Sequence, residues 1–478
     1  MKIEYKSAAV RDIAQKKEYI EAILKNKILA LYLGFLPLLA TAQNPIIQTK
    51  YTADPAPMVH NDTLFLYVGC DEKDAPSNAY LMREYRLYTT TDMVNWTDCG
   101  APLKTSDFKW SAGDASAAQC IERDGKFYWY ISSQNRFSPG SSIGVAVADT
   151  PYGPFRDALG QALVTNDMTT AAKHSWDDLD PTVFIDSNKQ AYLYWGNGAC
   201  YQAKVNKDMI SLDGSITALD IKDQTAFVGR FTEAPWVYKR NNLYYMIYAA
   251  EFPESIHYST ARTAEGPWKA RGVVMPLEKG SNTNHPGIID FKGNSYFFYH
   301  NDALPGGHSY CRSVCVEQFT YNPDGTIPQM HMTNEGIKKG TGTLNPYKRT
   351  EAETIAWAQG VTSATDKEKG VYITAIHNTD YIKVRDVNFG QKGASQFTAS
   401  ASSRYHGGEI ELRIDSPEGE VIGTLNIPYT GEWDNWEQHS THVKPVKGVH
   451  DLYLIFKGKT PHELFNFDYW MFSEKSSN

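Results

Sequence analysis

Asp124-Gly125-Lys126-Phe127-Tyr128-Trp129-Tyr130 places a tight-turn dipeptide just before a strand of aromatic residues. An Asp-Gly turn flanked by such a strand is typical of a β-hairpin. The same order recurs, at intervals of about 50 to 65 residues, in the aromatic strands at 64–67, 191–195, 243–246 and 295–299. Hairpins repeated at this long period predict the blades of a propeller, and five blades can be counted.

Three acidic residues lie directly, or one residue, before a proline at the start of a strand, in the motifs ADPAPMV, LDPTVFI and TEAPWVY. Because proline lacks a backbone N–H, it is tolerated at the first residue of a strand but not in its middle. We therefore predict that Asp54, Asp180 and Glu233 lie at the starts of strands, where the blades of a propeller converge. A single such acid is usually a turn residue. Three in the same context predict an active site, because cleavage of a glycosidic bond needs one carboxyl to protonate the leaving oxygen and another to activate water.

The composition narrows the range of partners. The chain of 478 residues contains 30 Tyr and 11 Trp, and aromatic residues make up 13% of it. Aromatic rings can stack on sugar faces, although the same rings can also fill the cores of blades. The net charge of -8 argues against nucleic acid and against an anionic membrane surface as partners.

The first 42 residues are predicted to be an N-terminal extension and a signal peptide. Lys25-Asn26-Lys27 precedes an apolar run at 28–40, which ends in Ala40-Thr41-Ala42, a small-residue cleavage site. The run is too short for a comfortable membrane span. We therefore expect an exported protein, periplasmic or secreted, that is cleaved near Ala42 and does not insert into a membrane.

A change of pattern marks a second domain. A small polar linker at 338–343 is followed by short alternating strands separated by glycine-containing turns, which are typical of an antiparallel sandwich. The prediction is an all-β protein, with a five-bladed β-propeller at 43–343 and a β-sandwich of the jelly-roll kind at 344–478. The six cysteines all lie in the propeller part and are predicted to be buried free thiols, while their possible pairing stays open.

The segment from about Thr52 to Asn334, with the three acid-proline motifs, resembles glycoside hydrolase family 43. The resemblance implies a five-bladed propeller and hydrolysis with inversion, without a cofactor for catalysis. It also implies that Asp54 is the general base, that Glu233 is the general acid, and that Asp180 orients the acid and keeps its pKa raised.

The same resemblance extends to residues around the pocket. Arg312, in CRSVCVEQF, matches an arginine that reaches the sugar pocket. His285, in NTNHPG, matches a histidine near the propeller axis that is often close to a calcium ion or its water. Trp110 and Phe252 are predicted as walls of the site, with packing in the core as the alternative.

The segment from about Thr350 to Phe472 resembles carbohydrate-binding module family 6, through EAE, GVYI, DYIKVRDVNFG, GEWDNW and FNFDYWMF. The resemblance implies a structural calcium ion held by the oxygen ligands Glu351, Glu353 and Asp468. It further implies that Tyr372 and Trp433 sandwich a sugar and that Asn466 hydrogen-bonds its hydroxyl groups. Trp436 is an alternative to Trp433 in the same loop.

Together these patterns predict an inverting glycosidase that acts on arabinoxylan or a related pentose polysaccharide of the plant cell wall. We expect an α-L-arabinofuranosidase with an appended module that raises the local substrate concentration. A β-D-xylosidase or xylanase-type activity and an arabinanase stay open, because these reactions use the same carboxylates. A non-catalytic polysaccharide-binding protein is the alternative of another class, and the presence of all three acids argues against it.

Overall fold

The computed structural model describes residues 43–76, 79–278 and 280–474. These residues form 32 β-strands and two short 3-10 turns, Thr105–Asp107 and Asn166–Met168, without an α-helix among them. Across the described part of the chain, no helix has the length and apolar character to cross a membrane. The predicted extension and signal peptide at 1–42 lie outside the described residues.

The first twenty strands form five antiparallel sheets that follow one another along the chain. Blade 1 contains β1 (Thr52–His60), β2 (Thr63–Asp71), β3 (Met82–Thr90), β4 (Trp96–Asp98) and β5 (Leu103–Lys104). Blade 2 contains β6 (Ser111–Arg123), β7 (Lys126–Asn135), β8 (Ser141–Ala148) and β9 (Arg156–Asp157). Blade 3 contains β10 (Thr182–Ile185), β11 (Ala191–Trp195), β12 (Tyr201–Val205) and β13 (Leu212–Ala218). Blade 4 contains β14 (Phe231–Arg240), β15 (Leu243–Ala250), β16 (Ser255–Ala261) and β17 (Lys269–Met275), and blade 5 contains β18 (Gly287–Phe291), β19 (Asn294–Asn301) and β20 (Ser313–Phe319).

The first strand of each blade lies on the inside of a closed ring. Strand β1 contacts β6 and β18, and β10 contacts β6 and β14. The ring is completed between β14 and β18, where the indole Nε1 of Trp236 donates a hydrogen bond to the carbonyl of Ile288 at 3.1 Å. Each predicted acid therefore lies on, or directly before, one of these inner strands.

The aromatic strands that define the repeat fill the spaces between and within the blades. Trp129 is fully buried and packs edge-on against Tyr67 and Phe155, at ring distances of 4.7 and 5.0 Å. Replacing such a buried ring by alanine costs about 3–5 kcal/mol. Most of the aromatic residues that mark the repeat in the sequence therefore pack in the core.

Eleven of the remaining twelve strands form a sandwich with its own hydrophobic core, and β22 joins the sheet of blade 1. One sheet has the order β24-β25-β32-β27-β30, with β21 paired to β32, and the other has the order β23-β26-β31-β28-β29. The twelve strands of this segment are β21 (Thr350–Glu351), β22 (Thr354–Ile355), β23 (Trp357–Gln359), β24 (Thr362–Asp366), β25 (Gly370–Thr374), β26 (Tyr381–Asn388), β27 (Ala394–Ser402), β28 (Gly408–Ile414), β29 (Val421–Ile427), β30 (Glu437–His442), β31 (Val449–Lys457) and β32 (Asn466–Glu474). The predicted all-β class, a five-bladed propeller followed by a β-sandwich, is confirmed.

The sandwich and the propeller are joined by backbone pairing. Strand β22 pairs with β4 of blade 1, with Thr354 opposite Thr97 and Ile355 opposite Trp96. The hydroxyl of Ser363 also donates a hydrogen bond to buried Asp98 at 2.8 Å. Blade 1 therefore continues into a strand of the sandwich segment, which holds the two domains in one arrangement.

Candidate active site

A cavity of about 480 Å³ opens where the inner strands converge. The three predicted acids line it together, which is the arrangement expected from the acid-proline motifs. The full lining is Asp54, Tyr80, Met82, Ala115, Ser116, Ala117, Trp176, Leu179, Asp180, Asn197, Thr232, Glu233, Phe252, Glu254, Thr283 and Arg312. The volume lies within the range of small-molecule pockets in proteins.

The backbone has the same unusual conformation at all three motifs. The residues directly before the prolines, Asp54, Asp180 and Ala234, have φ angles of 55°, 56° and 57°. In β1 and β14 the strand pairing is irregular at this point, so the chain bulges away from its neighbour. A left-handed conformation of a non-glycine residue costs about 1–2 kcal/mol, and such strain is concentrated at functional sites. The sequence predicted that the acids lie at the starts of strands, but it did not predict this backbone conformation.

Asp54 is held by a guanidinium and a neutral imidazole. Arg312 Nη1 donates to Asp54 Oδ1 at 2.9 Å, while its Nε and Nη2 each donate to Asp71 at 2.9 Å. The backbone N–H of Asp54 donates to His300 Nδ1 at 3.3 Å, and His300 Nε2 lies 2.9 Å from the carbonyl of Thr283. Burial raises the pKa of Asp54 to about 6, although the charge of Arg312 opposes that rise. Asp54 is thus charged at neutral pH, and Arg312 reaches the pocket as predicted.

Glu233 and Asp180 are also buried acids with raised pKa values. Burial raises the pKa of Glu233, an amide hydrogen bond from Asn197 Nδ2 to Glu233 Oε2 lowers it, and the charge of Asp54 raises it. Burial first, and then the charges of Glu233 and Asp54, raise the pKa of Asp180 well above its usual range. Burial is therefore the main cause of the raised pKa of Glu233, whereas the sequence analysis assigned this effect to Asp180.

His285 lies between two of the acids. Its Nδ1 is 4.0 Å from Asp54 Oδ1 and 3.9 Å from Asp180 Oδ2. Burial and the charge of Arg312 lower the pKa of His285 to about 3, so the ring is neutral. The ring therefore separates the two carboxyls without contributing a charge. Its predicted position near a cation stays a prediction.

Of the two residues predicted to form walls of the pocket, Phe252 lies there and Trp110 does not. Phe252 is 58% exposed and lines the cavity. Trp110 is 1% exposed and does not belong to the lining, because its ring packs edge-on against Phe108 beneath blade 2. A side chain on Gly144 would collide with that ring at 2.3 Å, so the glycine makes room for the indole. The structure thus assigns Trp110 to the core.

An aromatic residue that the sequence analysis missed takes the place of Trp110. Trp176 is 48% exposed, lines the cavity and stacks on the ring of His174 at a centroid distance of 3.8 Å. The loop around it is fixed by the hydrogen bond from the backbone N–H of Ser141 to the carbonyl of Ser175. The sequence could have indicated that Trp176 lies at the pocket, because it stands four residues before Asp180, in SWDDLDP.

Three further polar residues were missed at the pocket or just behind it. Asn197 and Glu254 line the cavity beside Glu233, and Asp71 pairs with Arg312. Glu254 follows Pro253 in EFPES, which reverses the acid-proline order of the other motifs. Asn197 and Asp71 have no such local signal, because only the fold brings them to the acids.

A second cleft, of about 470 Å³, lies on the sandwich. Tyr372, Trp433 and Trp436 all line it. Trp436 packs edge-on against Tyr372 at 5.2 Å, whereas Trp433 packs edge-on against Tyr405 at 5.7 Å. Both tryptophans are therefore available to a ligand, and the predicted sugar sandwich stays a prediction.

Asn466 lies beneath this cleft and is 4% exposed. Its Nδ2 donates to the carbonyl of Trp433 at 3.2 Å, and its Oδ1 accepts a hydrogen bond from the hydroxyl of Thr374 at 2.7 Å. This placement differs from the predicted contact with sugar hydroxyls, because both ends of the amide are already engaged by the protein. Asn466 positions the loop that carries Trp433.

Of the three acids predicted to hold calcium, two are placed to bind a cation and one is not. Glu353 and Asp468 are buried, and one carboxylate oxygen of each lacks a hydrogen-bond partner, a shortage that a hard cation could satisfy. Glu351 instead pairs with Arg349 at 2.8 Å, and the same guanidinium lies 3.3 Å from Asp468. Among the described residues, no group of three His, Cys, Asp or Glu side chains is placed to hold a metal ion.

All six cysteines are unpaired, five of them buried and Cys99 partly buried. None of them lines the cavity.

Comparisons with known proteins agree with this site. Residues 42–327 match the family model described as Glycosyl hydrolases family 43, and residues 351–474 match that of Carbohydrate binding module (family 6). Over 90% of its length, the chain is 32% identical to an arabinoxylan arabinofuranohydrolase of Paenibacillus polymyxa, 74% of which is covered. A xylosidase/arabinosidase of Bacteroides ovatus is 28% identical over 60% of this chain and 97% of the relative.

A solved structure extends the likeness to both domains. The crystal structure of a glycoside hydrolase family 43 arabinoxylan arabinofuranohydrolase from Bacillus subtilis, in complex with cellotetraose, has a TM-score of 0.79 at 29% identity. The superposition covers 91% of this chain and 98% of that one. With its five blades, its pocket of buried acids and its matched family model, this chain belongs to glycosyl hydrolases family 43.

Proposed function

We propose that the enzyme removes α-L-arabinofuranosyl branches from arabinoxylan by hydrolysis with inversion. The observation that carries the proposal is the convergence of Asp54, Asp180 and Glu233 on one cavity. The similarity to arabinoxylan arabinofuranohydrolases over 90% of the chain supports the choice of substrate.

In the proposed reaction, Asp54 is the base and Glu233 is the acid. Asp54, charged at neutral pH, takes a proton from a water molecule as that water attacks the anomeric carbon. Glu233 gives its proton to the leaving oxygen as the glycosidic bond breaks. Asp54 then holds the proton from water and Glu233 is ionised, and exchange with solvent restores both. Asp180, itself buried among these acids, orients Glu233.

The stereochemistry of the first product tests this assignment. Inversion requires that an α-L-arabinofuranoside release the β-anomer before mutarotation equilibrates it. Proton NMR of the earliest product distinguishes the two anomers. Initial release of the α-anomer would indicate a covalent intermediate and would contradict the roles given to Asp54 and Glu233.

A β-D-xylosidase activity is the second candidate, and the similarity to a xylosidase/arabinosidase favours it. Both activities use the same carboxyls and differ in the shape of the pocket. Assays on aryl arabinofuranoside, aryl xyloside and intact arabinoxylan separate them. We expect arabinose to be released from the polymer, and release of xylose alone would reject the arabinofuranosidase.

The sandwich is proposed to bind the same polysaccharide. The partly exposed rings of Tyr372, Trp433 and Trp436, which line one cleft, support stacking on sugar rings. Retention on insoluble xylan should weaken in the full-length Tyr372→Ala variant, while kcat/KM on an aryl glycoside should not change. Equal retention of variant and wild type would argue against this cleft as the binding site.

A calcium ion beside Glu353 and Asp468 is also proposed. The two buried oxygens without a hydrogen bond support it, although the ammonium of Lys369 lies 4.0 Å from the Asp468 oxygen. Glu351 would join only if Arg349 released it. Added Ca²⁺ should raise the thermal midpoint of the wild type, whereas Asp468→Asn should abolish that response. An unchanged midpoint in the wild type after chelation and Ca²⁺ addition would reject the site.

Export to the periplasm or secretion, with cleavage of the signal peptide near Ala42, is proposed from the apolar run at 28–40 and the small residues that end at Ala42. N-terminal sequencing of the mature protein should begin near Gln43. A mature chain that retains residues 1–42 would contradict the signal peptide.

A further inference from the structure

Tyr80 is an aromatic residue of the pocket for which the proposed reaction has no role. It lies in the connection between β2 and β3, is partly buried and lines the cavity. The backbone N–H of Glu72 donates a hydrogen bond to the carbonyl of Leu81 at 2.9 Å, which closes this connection at its base. The neighbours of the Tyr80 ring indicate what the ring does.

The ring of Tyr80 contacts two residues of blade 5. The central carbon Cζ of the Arg312 guanidinium lies over the ring, 4.8 Å from its centroid. The ring of Tyr310 packs against that of Tyr80 at a centroid distance of 4.6 Å and an interplanar angle of 58°. Tyr310 and Arg312 both belong to the connection between β19 and β20. This connection therefore holds the ring of Tyr80 against the guanidinium.

The hydrogen bonds of Arg312 leave a face of its guanidinium to the ring. Nη1 donates to Asp54, and Nε and Nη2 donate to Asp71, each at 2.9 Å. The N–H donors of a guanidinium point outward in its plane, so an aromatic ring can stack on the face without competing for them. A cation over an aromatic face is attracted by the ring quadrupole, more strongly where water is excluded. Arg312 is only 5% exposed, which favours this attraction.

Tyr80 supplies a ring face without adding a charge. Burial raises the pKa of Tyr80 to about 12, while the charge of Arg312 and a hydrogen bond with Thr283 oppose that rise. The phenol is therefore neutral at neutral pH. Its ring can restrain the guanidinium without competing with Asp54 and Asp71 for the positive charge.

We propose that Tyr80 is a positioning residue, whose ring face holds the Arg312 guanidinium in the orientation from which Nη1 donates to Asp54. The ring acts on the base through Arg312 and needs no contact between its hydroxyl and the sugar. The inference rests on the proposed function only in the role given to Asp54. Appreciable turnover in Asp54→Asn would reject that role, whereas the variants at Tyr80 test the ring itself.

Replacement of Tyr80 by phenylalanine, by leucine and by fluorinated phenylalanines tests the proposal in the full-length enzyme. Fluorine withdraws electron density from the ring face, so mono-, di- and trifluorophenylalanine weaken the attraction for a cation in steps and nearly keep the ring's shape. The matched control is the same fluorine series at Phe137, which is 76% exposed and is not part of the cavity lining. The readouts are kcat on whichever aryl pentoside the wild type cleaves, and the Kd of the corresponding free pentose by calorimetry.

Tyr80→Phe should recover most of the wild-type kcat, whereas Tyr80→Leu should lower kcat about 3- to 30-fold. Each added fluorine at position 80 should lower kcat further and leave the pentose Kd within twofold, while the series at Phe137 should be flat. A constant kcat across the fluorine series at position 80 would overturn the proposal. So would an equal loss in Tyr80→Phe and Tyr80→Leu, or a loss confined to the pentose Kd, because the hydroxyl or a wall of the pocket would then explain the effect.

Removal of the cation provides a second measurement. In Arg312→Met the ring has no guanidinium to hold, so the fluorine series should no longer change the residual kcat. An equal fall with and without the guanidinium would contradict action through Arg312. The fluorinated variants differ little in shape from Tyr80→Phe, so they decide the proposal even if Tyr80→Leu does not fold.

Discussion

Replacing Asp54 by asparagine is expected to abolish hydrolysis and to stabilise the folded protein at neutral pH. Burial raises the pKa of Asp54 from its ordinary value of 3.8 to about 6. At about 1.4 kcal/mol per pH unit, this difference corresponds to about 3 kcal/mol of stability that the ionised carboxylate removes. Asparagine has nearly the same shape and does not ionise.

The direction in which the free energy of unfolding changes with pH follows from the difference in proton binding between the folded and unfolded states. Because the pKa of Asp54 is higher in the folded state, the folded protein binds the proton more tightly than the unfolded chain does. This contribution is fully present below pH about 4, is lost as the pH rises towards about 6, and stays lost above it. Asp54→Asn should therefore be more stable than the wild type at pH 8 but not at pH 4. The pKa of about 6 already includes the charge of Arg312 and its hydrogen bond to Asp54, so a gain of about 3 kcal/mol is expected at pH 8.

Urea unfolding of wild type and Asp54→Asn at pH 4 and pH 8 measures this difference directly. Asp62→Asn is the matched control, because Asp62 lies at the exposed turn of the same β1–β2 hairpin. In the wild type, kcat/KM should fall below pH about 6 as the base becomes protonated. The reasoning would be refuted by a difference in unfolding free energy between Asp54→Asn and wild type that is the same at both pH values, or by appreciable turnover in the variant.

The remaining predictions concern three other residues of the pocket. Glu233→Gln should lower turnover about 10²- to 10⁴-fold on arabinoxylan but much less on an aryl glycoside whose leaving group needs no proton, and equal losses on both would contradict its role as the acid. Arg312→Met removes the partner of two buried carboxylates, so the free energy of unfolding should fall by about 3–5 kcal/mol and the acid limb of the remaining activity should move to higher pH. Trp176→Ala should raise KM for arabinoxylan several-fold while leaving the KM for an aryl arabinofuranoside unchanged, because the exposed ring is placed to stack on the polymer.

The sequence predicted the parts of the molecule that depend on local chemistry. Turn residues and aromatic strands define the five blades, and prolines place the three acids at strand mouths. Trp110 was misassigned because an aromatic residue before a strand has the same local pattern whether its ring faces a pocket or the core. Its burial depends on space provided by Gly144, 34 residues away in the chain.

Contacts between distant segments were beyond the reach of local patterns. Arg312 and Asp71 are 241 residues apart in the chain, yet they form a bidentate pair behind Asp54. Likewise, the pairing of β22 with β4 joins segments 257 residues apart. Nothing in the short polar linker at 338–343 specifies that pairing, because it depends on the edge of blade 1.

The arrangement of charges gives a physical reason for different roles among acids of the same type. Burial raises the pKa of every carboxyl in the cavity, so burial alone would leave none of them ready to act as a base. Among the acids that line the cavity, only Asp54 accepts a hydrogen bond from Arg312. Its pKa therefore rises only to about 6, whereas Asp180 and Glu254 are raised well above their usual range. The position of one guanidinium thus favours the ionised form of Asp54 over those of Asp180 and Glu254, as the base requires. Burial and the charge of Asp54 raise the pKa of Glu233, which favours the proton that the acid gives to the leaving group.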